Sequence, residues 1–387
     1  MSQPIYLDFA AATPVDSAAL KAMEPYFAEQ FYNPSAIYQP ARNVRATIEM
    51  ARGQVASVLG SKDQEIIFTA GGTEANNLAI KGVMDQFSDG HMIVSAIEHE
   101  SVLEPARQYD MSVAQVSNKG LTDVENVKSL IRDDTVLISV MYANNEIGTV
   151  QPIKALSELV NGVRTQRKAS GNKNPLYLHT DACQASNYLD LQVTRLGVDL
   201  MTLNGGKIYG VKQSGCLYKH KSVTLKPLIN GGGQEMGLRS GTENVTALLS
   251  FATMLQKVQS DRKLQGEKQQ LLINKLYATL SQKLPDIFLN GHPDKRLPNN
   301  LNVCIPHLDG ERLVLELDEA GVLAATGSAC TASNDEPSHV LMALGLTEEE
   351  ANSSLRLTIG RTTTEEDILK ASGIIVDCVQ KVQKLVQ

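Results

Sequence analysis

The sequence predicts an α/β protein: a large domain on a mainly parallel sheet, joined to a smaller α+β domain. Three observations predict it. Over 65–219, short apolar runs alternate with helical segments, the pattern of consecutive βα units. From about 246 to 284 runs an unbroken helical pattern, long enough to connect two bodies. Beyond it, apolar runs near 300–305 and 355–359 alternate with helical patterns near 311–319, 338–344 and 365–386. A chain of 387 residues, 42% hydrophobic and 20% charged, has the composition and length for this arrangement.

The elements follow in order. Residues 4–8 read as a short strand, and Asn33-Pro34-Ser35-Ala36 as a turn. Over 41–59, Val44, Ile48, Ala51, Val55 and Leu59 recur at helical spacing, and Gly60 ends the helix. EIIFTAGGTEANNLAIKGV gives strand, Gly-rich turn and helix; HMIVSAIEHESVLEPA gives strand, loop and helix start. TVLISVMYANNEIGTVQPI is a strand running into a polar loop. PLYLHTDACQA, VDLMTLNGGKIYG and SGCLYKH are further strands that end in loops. The basic stretch RTQRKASGNKN, 164–174, is poor in apolar residues and reads as a solvated surface loop. Ligands of parallel sheets bind beyond the carboxyl ends of the strands. Thr73, His99, Asn145, Asp181 and Lys207 all fall there.

Charge and cysteine usage exclude several function classes. The net charge is −7 and no long Lys/Arg cluster occurs, so nucleic acid is not expected as a main ligand. No apolar run approaches the length of a membrane span. The first residues, MSQPIYLDFAAATP, lack a basic region followed by an apolar one, so no secretory signal is expected. The five cysteines (Cys183, Cys216, Cys304, Cys330 and Cys378) are scattered, with no CxxC. That pattern argues against a disulfide framework or a metal site and fits a reducing cytoplasm.

The chemistry centres on 178–215. Asp181 closes one short apolar run and Lys207 follows the next. An acid and an amine after adjacent buried strands suit a pyridoxal phosphate (PLP) site: the amine bonds covalently to the cofactor, and the acid keeps the ring nitrogen protonated. A lysine in a Gly-rich turn is otherwise a solvated lysine. Gly71-Gly72-Thr73 offers a close backbone and a helix N-terminus to a phosphate, or is a plain turn capped by Thr73. His99 suits stacking on a ring or proton transfer, or is a surface histidine. Asn145 suits a hydrogen bond to a phenolate, or serves turn chemistry. Cys330 lies in the small polar stretch ATGSACTASNDEPS, where a thiol is accessible, unlike Cys304 in its apolar run. Cys183, next to the acid, reads as packing. Arg356, a charge within a strand, suits a carboxylate, whether a substrate's or a structural partner's.

Taken in order, YLDFAAATP, NPSA, FTAGGTEANNLAI, EHES, NNEIG, DACQ, NGGKIYG, GGGQEMGLRSGT, GSACTAS and SSLRLTIGR resemble the cysteine desulfurases. These are fold-type-I PLP enzymes of the class V aminotransferase group. The resemblance covers about 4–384, and the GSAC loop is similar to that of the branch serving iron–sulfur assembly. It implies a seven-stranded sheet in a large PLP-binding domain, 13–258, and a small domain from 1–12 and 259–387 that carries the cysteine loop. It implies that Lys207 bonds to the cofactor and then moves the α-proton, that Asp181 pairs with the pyridine nitrogen, and that His99 stacks on the ring. Gln184 and Asn145 would address the phenolic oxygen; Gly72 and Thr73 would hold the phosphate. Thr242 would reach the phosphate of the neighbouring subunit of a homodimer. Arg356 and Asn33 would bind the carboxylate of L-cysteine. Cys330 would attack its sulfur, giving alanine and a persulfide bound for a sulfur-accepting protein such as an iron–sulfur scaffold, or for tRNA thiolation.

Two places depart from the pattern. Where the family usually has Ser-x-His-Lys, this chain has Asn204-Gly205-Gly206-Lys207. Asn204 retains a donor for the phosphate, and backbone N–H groups of the glycines are expected to replace the lost histidine. Tyr38-Gln39-Pro40-Ala41 stands where His-x-x-Gly is common. The rival readings are a selenocysteine lyase or other lyase of the same fold, and a non-catalytic paralogue.

Overall fold

The computed structural model describes residues 4–87, 89–327 and 336–386. Seven strands form the main sheet: β2 (Ile66–Thr69), β3 (His91–Ser95), β4 (Met111–Ala114), β5 (Thr135–Ser139), β6 (Tyr177–Asp181), β7 (Leu200–Asn204) and β8 (Gly215–Lys219). Their order is β2-β8-β7-β6-β5-β3-β4, and only β8 runs against the rest. The mainly parallel seven-stranded sheet is therefore as expected. Apart from the edge strand β4, its strands are buried on both faces, as crossover helices require. On β2, Ile66 and Phe68 enter one core with Val140 and Leu178, while Ile67 enters the other with Leu78 and Leu217.

The helices bounded from apolar periodicity, near 41–59, 246–284, 311–319, 338–344 and 365–386, fall within a residue or two of those limits. Helix α1 (Gln39–Leu59) ends at Gly60, which is left-handed with φ of 65°. α2 (Gly72–Met84) follows β2, α3 (Glu100–Ala106) follows β3, and α4 (Ile153–Ser170) precedes β6. The basic stretch is corrected here. Residues 164–170 belong to α4 rather than to a loop. Arg164 bonds Leu176 O and pairs with Asp199, and buried Arg167 donates to Pro175 O and Arg132 O. Long basic side chains there tie strand approaches to the helix, a use that charge counting does not reveal.

A second core gathers around α5 (Val245–Lys283) and α6 (Glu365–Val386). Near its start α5 gives Phe251, Leu255 and Val258 to the first core; past its middle it gives Leu272, Leu276 and Leu280 to the second. Around this second core lie β9 (Phe288–Leu289), β10 (Asn300–Cys304) and β12 (Ser354–Thr358), antiparallel in the order β12-β10-β9. The strand expected at the N-terminus is the short β1 (Ile5–Tyr6), parallel to β11 (Val322–Leu323), with Leu7 in the second core. Among the described residues no helix is long and apolar enough to cross a membrane.

Candidate active site

The carboxyl ends of β2, β3, β5, β6 and β7 open on one cavity. Its wall includes Gly72, Thr73, His99, Asn145, Asp181, Gln184, Asn204, Lys207 and Arg356. Nine of the expected residues thus converge, although they come from elements up to 284 residues apart (72 to 356).

Asp181 ends β6 and is 8% exposed. Its Oδ1 accepts from Cys183 N at 2.9 Å and its Oδ2 from Asn76 Nδ2 at 2.7 Å. Asn76, fully buried on α2, also donates to Ser101 Oγ at 2.8 Å. Ser101 Oγ lies 2.8 Å from His99 Nδ1, which also accepts from Ser101 N. A polar chain therefore runs from Asp181 through Asn76 and Ser101 to His99. Nδ1 is the acceptor, so neutral His99 carries its proton on Nε2. Burial holds its pKa below the ordinary histidine value, so the ring stays uncharged. Asn76 and Ser101 are the functional residues that sequence reasoning missed. The signal was an amide at an otherwise apolar helix position, but nothing local said that it faces Asp181.

Lys207 follows β7 in a tight helical turn, Gly205–Lys207. Asn204 Oδ1 accepts from Gly206 N at 3.0 Å and so pins that turn. Lys207 Nζ donates to Ala10 O at 2.8 Å and Ala11 O at 2.6 Å, and Gln184 Nε2 also donates to Ala10 O. Gly205 is required: a Cβ there would lie 2.0 Å from Ser214 Oγ. Gly206 differs, since a Cβ would meet nothing closer than Asn204 Oδ1 at 3.5 Å.

The N-terminus of α2 faces the same cavity. Gly71 stands at its cap position with φ of 122°, and no side chain caps the helix. Thr73 lies inside the first turn, so the alternative of Thr73 as N-cap is wrong. The first N–H groups are open to an anion, helped by the helix dipole. A Cβ on Gly72 would lie 2.9 Å from Cys183 Sγ and 3.4 Å from Asn204 Nδ2, so only glycine lets these groups close in. The donor set fits PLP: an acid for a ring nitrogen, an amine, a flat neutral imidazole, and an uncapped helix end with an amide donor beside it. Burial pushes the Cys183 thiol pKa well up, which leaves it an uncharged packing group.

The two asparagines after β5 divide the roles. Asn144 is fully buried; its Oδ1 accepts from Glu146 N and Ile147 N, so it builds the loop. Asn145 is the one on the cavity wall. Arg356, in the middle of β12, is 1% exposed, and its Nη2 donates to Asp8 Oδ1 at 2.7 Å. Two expected residues stand off the cavity wall. Asn33 is exposed, with its Oδ1 accepting from Ser35 N in a turn, and Thr242 is exposed before α5. Cys330 lies outside the described residues.

Residues 5–370 match the family Aminotransferase class-V. The chain is 40% identical to "Cysteine desulfurase IscS 1" of Archaeoglobus fulgidus, over 98% of each chain. It is 38% identical to "Cysteine desulfurase IscS" of Dictyoglomus turgidum, over 100% of this chain and 97% of that one. Among solved structures, the NifS-like protein from Rickettsia africae superposes with a TM-score of 0.86 at 29% identity, covering 99% of this chain and all of that one. A structure described as "SspA in complex with cysteine" gives 0.77 at 33% identity, covering 92% of this chain and 98% of that one.

Proposed function

The chain belongs to the class V aminotransferase family, as a cysteine desulfurase, and from that premise we propose how its own residues take sulfur from L-cysteine. The observation that carries the proposal is the meeting of Asp181, Lys207 and Arg356 on one cavity beneath the uncapped N-terminus of α2.

PLP, when bound, supplies an electron sink for the carbanion that Cα deprotonation leaves. Gly72 and Thr73 N–H groups and Asn204 Nδ2 would hold its phosphate, and Asp181 would hold the ring nitrogen protonated. The amide of Asn76 keeps that carboxylate aimed. His99, uncharged, would cover the ring, and Asn145 and Gln184 would address the phenolic oxygen. Arg356 receives the substrate carboxylate and so orients Cα toward Lys207 Nζ, which moves the proton at that carbon. The Cys330 thiolate then takes the substrate sulfur: the Cβ–S bond breaks, an S–S bond forms on Cys330, and the carbon skeleton leaves as alanine.

A homodimer completes this reading. Thr242 and Asn33 lie off the cavity of their own chain, and beside Asn33 the side chains of Phe31 and Ile37 are 67% and 87% exposed. A second copy covering that apolar surface would bring Thr242 to the neighbouring phosphate. The persulfide serves an iron–sulfur scaffold or tRNA thiolation in the cytoplasm, and residues 13–258 act as the cofactor domain, with 1–12 and 259–387 as the other. The test is to load the protein with PLP, record its absorbance, and measure alanine from L-cysteine. Alanine at a rate that Lys207→Ala abolishes is expected. Absence of both the cofactor band and alanine refutes the reading.

A further inference from the structure

The segment 8–11 touches both cations of the site. Ala10 O and Ala11 O accept from Lys207 Nζ, while the Asp8 carboxylate accepts from Arg356 Nη2 at 2.7 Å. Arg356 has few other partners: Nη1 lies 3.5 Å from Asn145 O, and Nε meets no acceptor although it is buried. A guanidinium so enclosed needs a counter-charge, and Asp8 provides it. Asp8 itself is held from behind, since its residue bridges Thr358 beside β12 and its carbonyl accepts from Tyr6 Oη at 2.8 Å. A second carboxylate arriving at Arg356 therefore meets a cation that is already partly neutralised, with a fixed negative charge next to it.

Resting on the reading that Arg356 receives the substrate carboxylate, we propose that Asp8 is a positioning and specificity-determining residue. It holds the Arg356 guanidinium in place and, by like-charge repulsion, sets how tightly the carboxylate of the substrate binds. Asp8 takes no part in bond making or breaking. Alanine leaves with the same carboxylate that L-cysteine brings, so the repulsion also favours product release.

Asp8→Asn tests this, because the amide oxygen still accepts from Nη2 while the charge is gone. Like charges about 6 Å apart change an affinity by about threefold at bulk-water screening and by up to about a hundredfold at protein-surface screening. The KM of the PLP-loaded variant for L-cysteine is expected to fall by a factor in that range, with kcat within about twofold of wild type. Calorimetric titration with 3-mercaptopropionate, which has the carboxylate but no amine to react, is expected to show the same tightening. Asp8→Glu, which keeps the charge, is expected to bind it as wild type does. Equal or weaker binding by Asp8→Asn, or identical behaviour of the two variants, overturns the proposal. A wild-type protein that makes no alanine overturns the functional reading instead, and the calorimetric comparison still decides the role of Asp8.

Discussion

Replacing Gly206 with histidine should tighten the grip on PLP. The backbone at Gly206 is outside the left-handed region, and its N–H is already used by Asn204 Oδ1. A Cβ would sit 3.5 Å from Asn204 Oδ1 and 3.6 Å from Lys212 Cα, ordinary van der Waals contact. The turn therefore accepts a side chain without strain, directly before Lys207. A hydrogen bond from an imidazole to a phosphate is charge-assisted and contributes about 1.5–3 kcal/mol. Each 1.4 kcal/mol is about tenfold, so a fall in the PLP dissociation constant of about tenfold or more is expected. The assay is titration of cofactor-free protein with PLP, followed by absorbance. Gly206→Ala is the control and should bind as wild type does. Gly205→Ala is the opposite case, because its Cβ would overlap Ser214 Oγ. If Gly206→His folds and binds PLP no more tightly than Gly206→Ala, the account of the phosphate grip is wrong.

Other outcomes follow from the same contacts. Asn76→Ala removes a buried amide donor to the Asp181 carboxylate and should cost about 2 kcal/mol in chemical denaturation, with weaker PLP binding. Unchanged stability and affinity would remove Asn76 from the site. Arg52 and Glu235 form a buried two-point ion pair, with both contacts at 2.8 Å. Arg52→Met strands that carboxylate and should cost about 3–5 kcal/mol; a loss under about 1 kcal/mol in urea unfolding would show the pair to be dispensable. His179 is fully buried between Ser139 and Thr202, and burial lowers its pKa to about 4. Its unfolded value is higher, so the unfolded chain binds the extra proton first. The contribution is complete above about pH 6.5 and is lost toward pH 4, about 3 kcal/mol in all. His179→Gln should flatten the fall in melting temperature over that range, and an unaltered slope would contradict the assignment.

Much of this was legible in the sequence because strand periodicity and helix spacing are local. Six of the seven main-sheet strands, the long α5 and the pair Asp181 and Lys207 are readable within windows of a few residues; the edge strand β4, only partly buried, carries no apolar run that marks it. The misread stretch 164–174 shows the limit. Its arginines bond backbone carbonyls brought in by folding, and polarity alone cannot distinguish that from solvation. Asn76 escaped for the same reason, since its partners Ser101 and Asp181 are 25 and 105 residues away. Asp8 is the clearest case. As one acid in YLDFAA it looks unremarkable, and only the pairing of the N-terminal segment with β12 sets it on Arg356, 348 residues on. Asn33 and Thr242 stand off the cavity wall of their own chain, and only the homodimer proposed above would give them a surface to face.

The central claim is that Cys330 takes the sulfur of L-cysteine. Its most direct test is a single turnover of the PLP-loaded protein with L-cysteine, followed by peptide mass analysis and a count of alanine. One added sulfur on the peptide containing Cys330, in step with one alanine, is expected, with neither product in Cys330→Ala. Alanine formed at the wild-type rate by Cys330→Ala, or the added sulfur on Cys183 instead, would contradict it.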